Sequence, residues 1–186
     1  MYITNKIQIL VSNYVGIIHV CGMIIENIYG FIPNFFISNI HFFDKMYIMS
    51  FVFIPLSWIM CKDECIISYV CKKVENPHYQ LGSEPENVKD IIDLFYTKEL
   101  YSIFHHTNHI LRISSIIIVN NRTTHISYYI FTPTLVLYTI YVYDIVYKLN
   151  CRKQLYPYFQ ILLCIYLFII MLYIFVYSNS MIFMIE

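Results

Sequence analysis

Three histidines stand within five residues in the stretch FHHTNHILRISSIIIV, at 105, 106 and 109, with Arg112 a turn further on and bare aliphatics behind it. Imidazoles are the commonest metal ligands, and on a helix His105 and His109, four apart, share one face. Cys61 and Cys65 have the same spacing. Two imidazoles with two thiolates would form a tetrahedral Zn²⁺ donor set if both segments reached the same depth in a membrane. His106 is turned about 100° from His105 and falls outside that set. Two facts weigh against metal: no compact ligand motif is present, and a membrane desaturase or hydroxylase would need several histidine boxes where this chain has one cluster. His19 as half of a haem-ligating pair fares worse, since no second histidine clearly faces it. The reading adopted is no metal and no cofactor, with histidines that hydrogen-bond in the cytoplasmic leaflet.

Arg112 poses a different chemical question. A guanidinium in an apolar span needs an anion, and Asp144 is the candidate. A helical side chain leans toward its own N-terminus, which carries Arg112 to the depth expected of Asp144. The pair reads as packing within a helical bundle rather than as a transport path. Glu26 is expected at the outer interface, solvated.

These residues must be positioned by membrane helices. LYPYFQILLCIYLFIIMLYIFVY, 155–177, is uncharged over 23 residues, enough for a hydrocarbon core about 30 Å thick. Further spans are expected at 7–29, 42–61 and 126–147, the last with Pro133 inside it. The first lacks a small-residue cleavage site and reads as an anchor. Between 62 and 100 lies one polar loop. There Ser83 and Glu86 fit a capping box, with Pro85 in the first turn. The helix they would start gathers Val88, Ile91, Ile92 and Phe95 on one face and Asp90 and Asp93 on the opposite one, and it is expected to dock on the protein itself, since a lipid-surface helix would be lysine-rich.

The bulk numbers agree with this plan. Hydrophobic residues make up 59% of the 186-residue chain and charged residues 13%, about half the charge of a typical soluble domain. Twelve basic and twelve acidic residues cancel, so nothing in the net charge suggests nucleic acid. No Gly-rich phosphate loop supports a nucleotide. Alanine is absent while Ile, Tyr, Phe, Asn and Lys abound, the bias of A/T-rich coding, so only the clustering of apolar residues is informative.

Charge also decides the topology. With 101–121 outside the bilayer, four spans divide the twelve Lys and Arg residues 8 to 4. With 101–121 crossing, Lys148, Arg152 and Lys153 join the N-terminal side and Arg122 leaves it, giving 9 to 2 with Arg112 inside. The tendency of basic loops to stay cytoplasmic prefers the second arrangement. An arginine in mid-span costs roughly 2.5–3.5 kcal/mol on insertion scales. The expectation is a single integral domain over 1–186: an all-α multi-pass transmembrane bundle of about five spans, four being the alternative, with a cytoplasmic N-terminus.

Two stretches, PLSWIMCKDECIISYVCKKVENPHYQLG (55–82) and NHILRISSIIIVNNRTTHISYYIFTPTLVLY (108–138), resemble uncharacterised small multi-pass membrane proteins of large DNA viruses. That resemblance implies a host or viral internal membrane and carries over no functional residues. The function expected is structural or interaction-type, its partners the lipid bilayer and other membrane proteins. A small transporter or channel component using the Arg112 and Asp144 region is the first alternative. A metal-dependent enzyme built on His105, His106 and His109 is the second.

Overall fold

Long apolar runs can satisfy their backbone polar groups in a water-free layer only as helices or closed barrels, and this chain takes the helical solution. The structure, a computed structural model, describes residues 2–37, 39–147 and 158–180, and side chains over 14–34, 36–37, 39–147 and 158–176. Among the described residues the α-helices are α1 Tyr2–Ile28, α2 Ile40–Met60, α3 Ile66–Glu75, α4 Lys89–Ile92, α5 Lys98–Val119, α6 Tyr128–Tyr147 and α7 Tyr158–Ser180. Among the described residues there is no strand, and the protein is an all-α helical bundle. Lys148, Arg152 and Lys153, which weigh in the charge split, lie outside the described residues.

Among the described residues, four segments are long and apolar enough to cross a bilayer: Tyr14–Phe31, Ile40–Met60, Tyr128–Tyr147 and Tyr158–Val176. They make this an integral membrane protein surrounded by lipid. Helix α5 matches them in length, with 22 residues, but its histidines, Asn108 and Arg112 keep it out of that apolar class.

The packing divides the chain into two compact units, Met1–Tyr29 with Ser57–Ser114 and Gly30–Leu56 with Ser115–Glu186. In the second unit, α6 and α7 meet along seams spaced three and four apart. Phe131, Leu135, Tyr138, Val142 and Ile145 are buried on one helix, and Leu163, Leu167, Ile170 and Ile174 on the other. Such spacing aligns apolar knobs along one stripe of each helix. Ile161, Ile165, Phe168, Leu172 and Phe175 stay exposed on the rest of α7, as a lipid-facing helix requires. Phe51 of α2 meets Tyr138 edge-on, ring centroids 4.9 Å apart.

In the first unit α3 and α4 pack on α1 and on each other. Here two expectations need correction. The loop helix is only the four residues Lys89–Ile92, capped at Val88 with no side-chain bond, and the Ser83 hydroxyl donates to the Gln80 carbonyl instead. A local turn has outcompeted the capping box, as serine side chains often allow. Asp90, expected on the face opposite the apolar one, is itself buried, 1% exposed.

Candidate functional site

The most chemically distinctive cluster of the first unit sits where α1, α3 and α4 meet. Helix α2 ends at Met60, and the chain reverses through Lys62 and Asp63, both left-handed at φ 55° and 67°. Consecutive left-handed non-glycine residues store strain of order 1–3 kcal/mol each and persist only where their surroundings insist. The insistence comes from Glu64, fully buried, which accepts hydrogen bonds from Lys72 Nζ (2.6 Å), the Tyr79 hydroxyl (2.7 Å) and the Gly82 amide (2.7 Å). Lys72 also donates to the Glu84 carbonyl at 2.6 Å. Burial would lower the Lys72 pKa, but the bonds to Glu64 and Tyr79 and the Glu64 charge together outweigh it and hold the pKa above its ordinary value. Gly82 is at φ +79°, and a Cβ there would press on Lys62, so glycine lets the loop close on the reversal.

This knot delivers Cys65 to the N-cap of α3. The sulfur faces the N–H groups of Ile67 and Ser68 without closing a capping bond. Its Sγ lies 3.9 Å from His19 Nε2, and His19 Nδ1 lies 2.8 Å from Asp90 Oδ2. The Ser68 hydroxyl donates to the other Asp90 oxygen. Asp90 reaches His19 because α4 comes down on Gly16, where a Cβ would collide with the Asp90 carbonyl. Burial would raise the Cys65 thiol; the His19 hydrogen bond and charge, helped by the α3 amides, outweigh it and bring the pKa below the ordinary value. Burial would likewise raise the Asp90 carboxyl, and its bonds from His19 and Ser68 pull it down. Thiol, imidazole and carboxylate therefore stand in series, the arrangement that activates a cysteine nucleophile.

The same geometry excludes the three as ligands of one ion. The two His19 nitrogens point opposite ways, one to the thiol and one to the carboxylate, so no single point faces all three. Among the described residues no three His, Cys, Asp or Glu side chains gather as metal ligands. The expected Cys61/Cys65 helix face does not form, because α2 ends at Met60 and the left-handed turn at 62 and 63 leaves Cys61 beyond that helix and Cys65 at the N-cap of α3. His105 stacks on Tyr101 and lies beside His106, and His109 is buried in α5.

A second polar seam joins α1 and α5. Arg112 donates to Glu26 at 2.5 Å, and the Asn27 amide donates to the Asn108 side chain. Glu26, expected in solvent, has a side chain 16% exposed. Asp144, the sequence-based partner for Arg112, is buried in α6 and belongs to the second unit.

The charge cluster of the second unit is built differently. Asp44, fully buried near the start of α2, receives Arg122 Nε at 2.7 Å and Arg122 Nη2 at 2.5 Å, with the Thr123 hydroxyl as a third donor. Arg122 Nη1 also donates to the carbonyls of Gly30 and Ile32, at 3.1 and 2.9 Å. The π-turn Asn120–Thr124 that presents these side chains is closed by Asn120, which bonds both the amide and the carbonyl of Ile126.

From sequence His19 suggests only a haem ligand, and its partners Cys65 and Asp90 do not show. Gly16 and His19, three apart in a chain with four glycines, were the available signal of a close approach on one helix face. No family model, curated protein or solved structure matches this chain.

Proposed function

We propose that the chain is a five-span membrane protein of structural or interaction type, with its N-terminus and the 62–100 loop on the cytoplasmic side of a host or viral internal membrane. One observation carries the reading. Glu26 and Asn27 lie inside the candidate span Tyr14–Phe31, and they bond Arg112 and Asn108 of α5. A helix tied to a membrane span at that depth shares its layer. The polar side chains of α5 then serve helix association, since interhelical polar contacts stabilise membrane bundles. The 9 to 2 split of basic residues supports the same direction of crossing.

Reporters fused after Glu186 and inserted near Ser83 should read on opposite sides of the membrane. Both on one side would leave four spans. Protein reconstituted into vesicles should pass ions and small solutes no faster than empty vesicles do. A saturable flux lost on Arg112→Leu would replace the structural reading with transport.

A further inference from the structure

We infer that Cys65 is a nucleophile that accepts a long-chain acyl group from a thioester donor at the membrane surface. Three independent features converge on that residue. The thiol is free and partly exposed, while the Asp90 behind it is buried, so the chain of groups opens at the sulfur. The left-handed reversal and the Glu64 knot set its position at the N-terminus of α3, where helix amides favour a thiolate. Its surroundings choose the substrate. Cys65 follows the candidate span Ile40–Met60 by five residues. Helix α3 leaves Ile66, Ile67, Val70 and Val74 exposed on one side and buries Ser68, Cys71 and Lys72 on the other. An amphipathic helix directly after a span lies in the interface with its apolar side in lipid. The thiol at its start is then presented where an acyl chain partitions, and juxtamembrane cysteines are the usual seat of S-acylation.

The step balances without an oxidant or metal. His19 Nε2 takes the Cys65 proton, and Asp90 positions the ring through Nδ1. The thiolate attacks the carbonyl carbon of the donor thioester. A new C–S bond forms to Cys65 as the donor's own C–S bond breaks. The electron pair leaves on the donor sulfur, which takes the proton back from His19 and departs as a free thiol.

The test uses the full chain in lipid nanodiscs with an alkyne-tagged long-chain acyl-coenzyme A, reading each cysteine by peptide mass. Cys65 should acquire a hydroxylamine-sensitive label at least ten times faster than Cys61 in the same molecule, a comparison that needs no variant. His19→Gln should cut the Cys65 rate about tenfold or more and leave the Cys61 rate unchanged. Asp90→Asn should give a smaller loss and move the pH profile of Cys65 alkylation upward, which a merely structural role would not do. Cys61→Ser should keep the label. Equal labelling of Cys61 and Cys65, or a His19→Gln protein that folds and labels as fast as the parent, would overturn the proposal. Equal labelling by acetyl-coenzyme A would overturn the choice of a lipid acyl donor.

Discussion

Two clusters, that of Asp90 in the first unit and that of Asp44 in the second, use buried charge in opposite ways. In the second, the Arg122 guanidinium divides its bonds between the Asp44 carboxylate and the carbonyls of Gly30 and Ile32, so each acceptor belongs to the backbone or helix being held. In the first, Ser68, Asp90 and His19 are linked in a line that ends on a partly exposed thiol. A closed set of bonds is a staple. An open series that ends on a reactive atom has somewhere to send a proton. The contrast turns on where the last partner lies, because both clusters hold a fully or nearly fully buried carboxylate.

Breaking the staple should produce the largest effect. Asp44→Ala removes the carboxylate from beneath the Arg122 fork, and loss of one partner from a buried pair costs on the order of 3–5 kcal/mol. Folded yield in detergent and the thermal midpoint should both fall sharply. Arg122→Leu added to that variant should recover part of the loss; an unchanged double variant would mean that the two residues are not energetically coupled.

Glu26→Gln should cost less, since the Glu26 side chain retains some exposure and a charged hydrogen bond contributes about 1.5–3 kcal/mol. A cycle with Arg112→Leu reads the coupling directly. Additive losses would remove Glu26 as the anion that holds α5 to α1, and with it the main support for a fifth span.

A pair of glycine substitutions sharpens the comparison further. Gly16→Ala forces a methyl group against the Asp90 carbonyl, whereas a Cβ on Gly22 meets nothing within 4 Å. Overpacking of this kind costs about 1–3 kcal/mol, and here it should displace α4 and slow alkylation of Cys65. Gly22→Ala should leave both stability and Cys65 reactivity as they are. If the two variants alkylate alike, contact between α4 and α1 does not set the thiol's reactivity.

The helices were legible because their cause is local. An apolar run of twenty residues has one practical structure in lipid, and the expected spans at 42–61 and 126–147 end within two residues of α2 and α6. The site was not legible, because its cause is distant in sequence. His19 and Asp90 are 71 residues apart, and no spacing rule joins them. Helical periodicity puts Asp90 on the face opposite the apolar residues, but its helix is only four residues long and the contact at Gly16 overrides the period. Cys65 stands at helical spacing from Cys61, a relation that the positive φ of Lys62 and Asp63 annuls. From sequence Arg122 is only a loop charge. That it reaches back to Asp44, 78 residues away, is likewise tertiary.

The smallest effect expected is on metal content. His105 and His109 share α5 and keep the ligand-like spacing, so a site there would still need two more donors. Cys65 is engaged with His19, and Cys61 is cut off from the helix of Cys65 by the reversal at 62 and 63. Zinc, iron and copper measured on the purified protein should each fall far below one equivalent, and His105→Ala with His109→Ala should leave that figure unchanged. The same double variant should label Cys65 at the parental rate, because the proton acceptor at that sulfur is His19. A stoichiometric metal lost with the two histidines would move the chemistry of the first unit from the thiol to α5, and the contrast with the second unit would have to be redrawn around a metal.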